Sequence, residues 1–262
     1  MVPIDYIHSL RESEWNTVKS HYCDIFSGSD VLEIGSGTGF ELAEISKLAR
    51  SAKGIDLQDG TYSEHSNPNV QAYDGKSIPF PDRSFDVVFS SHVLEHLTNE
   101  QQLHSEMMRV LRPGGVCIHV VPTASSRFWA WLGHYPETMR RFVLKVAKRK
   151  RNDNPNGRSV FPYHKPTMLF RLRSALYPLR HGERGNWFTE LFLMRHSAWR
   201  KHLESFGWKV ERLDRLGLWY SANCLIGTKM SMRIRLQLAR ILGSSSIMLL
   251  VRPTGTARTK PR

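Results

Sequence analysis

The stretch that decides the fold is VLEIGSGTGF, residues 31–40. An apolar run, interrupted by Glu33, passes into Gly35, Gly37 and Gly39. Such a run reads as a buried strand entering a turn, because glycine accepts positive φ and lets a ligand come close to the backbone. The next segments fix its setting. FELAEISKLAR (40–50) spaces Phe40, Leu42, Ile45 and Leu48 near helical period, and AKGIDL (52–57) is a second short strand closing on Asp56 and Leu57.

The alternation continues along the chain. VQAYD (70–74) is a third strand after a loop over 63–69, FDVVFS (85–90) a fourth and VCIHVV (116–121) a fifth. QQLHSEMMRVL (101–111) is a helix with Leu103, Met107, Val110 and Leu111 on one face, stopped by Arg112-Pro113-Gly114-Gly115. SAWRKHLESFGW (197–208) is a further helix with Ser197 as its N-cap, and KVERLDRL (209–216) and SIMLLVRP (246–253) are closing strands. Strands alternating with helices predict an α/β fold with a doubly wound, mostly parallel sheet, here of seven strands. The reading divides the chain into a helical lead-in (1–28), a ligand-binding core (29–122), an insert (123–195), the rest of the core (196–252) and a disordered tail (253–262).

The ligand can be narrowed from the charges. A dinucleotide loop, G-x-G-x-x-G, would place glycine at 40, where this chain has Phe. Glu33, two residues before Gly35, would repel a pyrophosphate and suits a ligand carrying positive charge, such as an ammonium and a sulfonium. Asp56 at the end of the second strand can accept both hydroxyl protons of a ribose. Asp74, ahead of Gly75, can accept from an adenine amino group. The plain alternatives are an acid at a strand end and an aspartate that starts a turn.

These segments together, VLEIGSGTG, GIDL, YDGKSIPFPDRSFDVVFSSHVLEHL and MRVLRPGGVCIHVVP, resemble the class I S-adenosylmethionine-dependent methyltransferases, most of all their small-molecule branch. The resemblance covers roughly residues 29–122. It implies a Rossmann-like methyltransferase fold and S-adenosyl-L-methionine as cofactor. By position it implies that Glu33, Gly35, Ser36, Gly37 and Gly39 surround the methionine part. Asp56 then takes the ribose, Leu57 lies against the adenine, and Asp74 and Gly75 border its edge. Ser90, Ser91 and His92 approach the transferring end. Ile78 stands where the family has Leu, and Trp208 where it has Phe. The fourth strand runs into Ser90-Ser91-His92-Val93 and lacks the Asn/Asp-Pro-Pro-aromatic run of enzymes that methylate nucleobase amines.

A base is needed where the acceptor must lose a proton, as a hydroxyl would. The acid–base cluster near the strand ends is S-H-V-L-E-H, with His92, Glu95 and His96. Read as helix, it puts His92 and His96 on one face; the plain reading is that these residues brace the helix. His134, His164 and His181 in the insert are further candidates. No pair of histidines, and no pair among Cys23, Cys117 and Cys224, has metal-ligand spacing, so no metal site is expected.

Net charge is +13, and its distribution is uneven. Between Thr123 and Gly182 stand 13 Lys and Arg against Glu137 and Asp153. SSRFWAWLGHYPETMRRFVLKVAKRKR (125–151) combines Phe128, Trp129, Trp131 and Leu132 with a helix from about 137, whose Met139, Phe142, Val143 and Val146 share a face. Arg140, Arg141, Lys145 and residues 148–151 fill the other sides. Three readings stand: a lid over the substrate, contact with an anionic membrane surface, and phosphate binding to RNA or a diphosphate-linked lipid. Trp187, Phe188 and Phe192 would wall an acceptor pocket with it. The chain shows no signal segment, its longest apolar run near the C-terminus is IMLLV, and sparse cysteines fit a reducing compartment, so a cytoplasmic protein is expected, peripheral to a membrane if the insert touches one. The expected function is methyl transfer to a small-molecule or lipid-linked acceptor, at a hydroxyl oxygen of a glycan precursor or secondary metabolite. An RNA methyltransferase and a non-catalytic S-adenosylmethionine-binding protein are the alternatives.

Overall fold

A computed structural model describes residues 4–57, 69–150, 177–178, 180–220 and 230–255. Seven strands form one sheet: β1 (Asp30–Ile34), β2 (Ser51–Leu57), β3 (Val70–Tyr73), β4 (Phe85–Ser91), β5 (Leu111–Pro122), β6 (Trp208–Arg215) and β7 (Ser246–Pro253). Their spatial order is β3-β2-β1-β4-β5-β7-β6. The first five run parallel, whereas β7 is antiparallel to both β5 and β6, so the sheet is mixed.

Both faces of the sheet are covered, and the strand period of two sorts the side chains between them. On one face α1 (Ile4–Phe26) lays Trp15, Val18, Tyr22 and Phe26 over Val31, Val87, Phe89 and Ile118. On the other, α3 (Glu100–Val110) and α6 (His196–Ser205) bring Leu103, Met107, Trp199 and Leu203 onto Leu32, Val88, Cys117 and Leu249. Neighbours Val31 and Leu32 thus serve opposite layers. Trp208 is a core residue, its indole N–H donating to His104 Nδ1 at 2.9 Å. The short helix α2 (Phe40–Ile45) follows the glycine loop with Leu42 and Ile45 buried.

Several expected boundaries move. The helix expected from about 137 is α4 (Ala124–Lys150), which runs through Pro136. Its first turns are held by tertiary bonds: Thr123, Ser125 and Trp129 side chains donate to the carbonyls of Ser244 and Leu242. Pro136 removes one helical N–H without ending the helix. After α5 (Glu190–Leu193), α6 begins at His196, capped by the extended backbone of Arg195 instead of the Ser197 hydroxyl. α7 (Met232–Leu242), unread in the sequence, is capped by Ser231 and ends beside α4. His164, Cys224, the tail from 256 and the loop over 58–68 lie outside the described residues.

Candidate active site

A cavity of about 550 Å³ opens at the carboxyl ends of β1, β2 and β4, the place where open α/β sheets bind ligands. Its floor is the glycine loop. Gly35, Gly37 and Gly39 all have positive φ. At Gly35 a side chain is doubly excluded, since an added Cβ would overlap Val93. Gly35, Ser36 and Gly37 line the cavity. Gly39 instead caps α2 in the left-handed conformation.

Asp56 ties the loop to β2. One carboxylate oxygen accepts the Gly37 N–H at 2.7 Å and the other the Leu57 N–H at 2.7 Å. Leu57 is 51% exposed, an apolar side chain laid open on the cavity wall. Gly75 has positive φ and a Cβ added there would come within 2.9 Å of the Leu57 side chain, and Asp74 accepts the Lys76 and Ser77 N–H groups at 2.8 and 2.9 Å. Both line the same cavity.

Glu33 lies beneath the loop, outside the lining, fully buried, and neither carboxylate oxygen has a hydrogen-bond partner. Burial, with the Glu41 and Asp56 carboxylates adding to it, pushes its pKa well above the ordinary value. Ser90 and Ser91 part company, as adjacent strand residues must. Ser91 lines the cavity, while Ser90 turns inward and shares a 2.8 Å hydrogen bond with His119 Nδ1.

The expected helical arrangement of His92, Glu95 and His96 is replaced by a tighter one. His92 has φ 55, a left-handed conformation uncommon outside glycine, and a 3-10 turn spans Leu94–His96. His92 is thereby swung between two buried carboxylates: Nε2 lies 3.4 Å from Glu14 Oε2, and Nδ1 lies 3.4 Å from Glu95 Oε1. Burial and the Arg11 charge lower its pKa, but Glu14 and Glu95 outweigh them and raise it. Burial would raise the Glu14 pKa; the charges of His92 and Arg11 overcome it and hold it at about 2. With a carboxylate oxygen 3.4 Å from each ring nitrogen, His92 is held in place on the cavity wall by opposite charges on either side.

The sequence reading missed the contribution of α1. Ile7, His8 and Arg11 line the cavity, and Glu14 below them accepts from Arg11, Tyr220 and Ser246 at 2.8, 2.9 and 2.6 Å. The signal available was an acid beside the apolar positions Trp15 and Val18. His181 reaches the same neighbourhood from the insert, its Nε2 3.8 Å from Glu95 Oε1. Burial lowers its pKa to about 4, despite the opposing pull of Glu95. The aromatic residues expected to wall an acceptor pocket do not line this cavity. Trp131 stacks on Trp187 at 6.2 Å, and Phe188 and Phe192 continue the cluster, each about half exposed.

Residues 32–119 match the family described as "Methyltransferase domain". The chain carries a class I S-adenosylmethionine-dependent methyltransferase domain. A "Probable S-adenosylmethionine-dependent methyltransferase" of Mycolicibacterium smegmatis is 39% identical over 107 residues, 39% of this chain and 40% of that protein. A "Demethylmenaquinone methyltransferase" of Tropheryma whipplei is 26% identical over 146 residues, 53% of this chain and 60% of that one. The chain thus spans about half the length of these relatives. Among solved structures, the DhpI complex with S-adenosylhomocysteine superposes with a TM-score of 0.51 at 16% identity, covering 97% of this chain and 89% of that one. That likeness concerns the fold. The methyltransferase domain has S-adenosylmethionine as its family cofactor. Its cavity offers an acid at the second strand end and an exposed leucine, groups of the kind that meet a ribose and an aromatic ring, whereas Glu33 is buried beneath the loop and is not part of the lining.

Proposed function

We propose that this protein transfers the methyl group of S-adenosylmethionine to a hydroxyl oxygen of a lipid-linked acceptor at an anionic membrane surface. The cofactor supplies an activated methyl on a sulfonium. The chain's own task is to hold that carbon in line with the acceptor oxygen and to exclude water. Gly35 and Gly37 allow the methionine end close to the backbone, Asp56 and Leu57 hold the nucleoside, and Glu33 answers the ammonium. His92, fixed between Glu14 and Glu95, and Arg11 bring positive charge to the acceptor side, where they favour an oxygen losing its proton.

The observation that carries the acceptor class is the outer face of α4. Phe128, Leu132, Tyr135, Met139 and Phe142 recur at alternating intervals of four and three, all on one helix face, and each is 42–63% exposed. At 27 residues the helix is about 40 Å long. Beside it, α7 exposes Ile234 and Leu236, between Arg233 and Arg240, and Ile241 just after Arg240, the last at 84%. Among the described residues no helix is long and apolar enough to cross a membrane. Two adjacent helices with open aliphatic and aromatic side chains, in stretches of sequence rich in basic residues, suit the plane of an anionic bilayer. Charge argues against a second copy as the occupant, since two such cationic faces repel.

The test is transfer of labelled methyl from S-adenosylmethionine into a cell extract divided into lipid, RNA and soluble fractions. Label in the lipid fraction is expected. Label in RNA would replace this reading with an RNA methyltransferase using the same basic helix. Sedimentation with phosphatidylglycerol vesicles, and not with phosphatidylcholine vesicles, is the companion result; equal absence from both would refute the membrane surface.

A further inference from the structure

The turn after β4 holds donors that methyl transfer as described does not exhaust: His96 and His181 take no part in it, and Glu95 enters only through His92. Glu95 is 1% exposed, and neither of its carboxylate oxygens meets a hydrogen-bond donor in bonding geometry. Two imidazoles instead face Oε1 from the solvent side: His181 Nε2 at 3.8 Å and His96 Nε2 at 4.0 Å. One ligand atom from each of the three residues lies within 4.8 Å of the others. His96 and His181 stand with ring centroids 5.3 Å apart.

The backbone keeps this cluster together. The N–H groups of His181 and Gly182 donate to Glu190 Oε1 at 2.7 and 2.9 Å, and Glu190 Oε2 pairs with Arg127 at 2.9 Å. The Glu183 N–H donates to the Glu95 carbonyl at 2.8 Å. Gly182 lies so close to that carbonyl that a Cβ would overlap it. A loop from the insert is therefore clamped, by main-chain bonds, so that its histidine faces the one buried carboxylate of the turn.

We propose that Glu95, His96 and His181 form a binding site for a divalent transition-metal ion of the zinc type. Two imidazoles and one carboxylate are a donor set that zinc takes in open, three-ligand sites. Zinc sits about 2.0–2.2 Å from such ligands, which puts tetrahedral ligand atoms roughly 3.3 Å apart. The 3.8 and 4.0 Å separations from Glu95, and that between the two imidazoles, which is within 4.8 Å, need inward movements of up to about 1.5 Å, within the reach of two imidazole rotations. Glu95 supplies the negative charge, and His92 Nδ1, 3.4 Å from the same oxygen, braces the carboxylate from behind. Because His96 also lines the cofactor cavity, the open coordination position adjoins the space for an acceptor. An acceptor hydroxyl bound there would lose its proton more readily. That last role rests on the methyl-transfer reading; the binding of the ion does not. Spacing in the sequence gave no hint of the site, since two ligands are chain neighbours and the third comes from the insert.

The test uses the full chain, stripped with chelator and desalted, and zinc alone as the probe. Titration against a chromophoric zinc chelator is expected to show one tight site per chain. His181→Ala and Glu95→Gln should each weaken it at least tenfold, while His134→Ala leaves it unchanged. Binding of S-adenosylhomocysteine to metal-free wild type and to His181→Ala, read by calorimetry, checks that the variants fold and keeps this result separate from the cofactor site. Wild type that holds zinc no better than His181→Ala would overturn the proposal.

Discussion

Replacing Glu14 by alanine is the perturbation whose size follows most fully from the structure. Its carboxylate is 1% exposed and gathers Arg11, Tyr220, Ser246 and His92 from three parts of the chain. Its pKa is held at about 2 against an ordinary 4.5. Each pKa unit corresponds to about 1.4 kcal/mol, so the folded state gains about 3 kcal/mol from the ionised form. Breaking a buried pair by removing one partner typically costs about 3–5 kcal/mol, in agreement. Glu14→Ala should therefore lower stability at neutral pH by about 3 kcal/mol or somewhat more. For a chain of this size that is a fall in melting temperature of roughly 6–15 °C. The sign with pH is fixed: a depressed carboxylate pKa gives stability that is present above the unfolded value and lost as pH falls towards about 2. Urea unfolding followed by tryptophan fluorescence, repeated on acidification below pH 4.5, should show the two proteins converging. A neutral-pH difference under about 1 kcal/mol, or a gap that stays constant on acidification, would refute the reasoning.

Further outcomes are expected at the cavity and on its rim. Asp56→Ala removes one charged acceptor and should weaken S-adenosylhomocysteine roughly 10- to 150-fold by calorimetry, the range for a hydrogen bond to a charged group. Glu33→Gln should raise the melting temperature of the cofactor-free protein while weakening the cofactor. The Glu33 pKa is raised in the folded state, so stability falls as pH climbs above the ordinary carboxylate range, and the gain should grow with pH in differential scanning fluorimetry. Gly35→Ala should cripple cofactor binding because positive φ and the Val93 side chain both exclude a methyl; unchanged calorimetry would contradict it. Met139→Glu with Phe142→Glu should cut sedimentation with phosphatidylglycerol vesicles about tenfold or more and leave cofactor binding intact.

The cofactor side of the site was legible because its determinants are local. Gly35 to Gly39, Asp56 and Asp74 stand at strand ends, and strand ends follow from apolar runs of fixed period. Ser90 was misplaced in space because two neighbouring serines read alike, and the side that each takes depends on the register with His119 across β5. His92 and His96 were set on a helix by their spacing, but the left-handed backbone at His92 breaks that periodicity. Glu14 could not be assigned to the site from sequence, and His181 stood only as one of three candidate histidines of the insert, since only the packing of α1 and the Glu190 clamp bring them to His92 and Glu95. The exposed stripe of α4 was half read: Met139, Phe142 and Val143 were legible, whereas its extension to Phe128 required the bonds that hold the helix through Pro136.

Calorimetric titration of the full chain with S-adenosylmethionine tests the central claim most directly. One-to-one binding with a dissociation constant in about the micromolar range is expected. No heat at millimolar cofactor from a folded protein would contradict the account at its root.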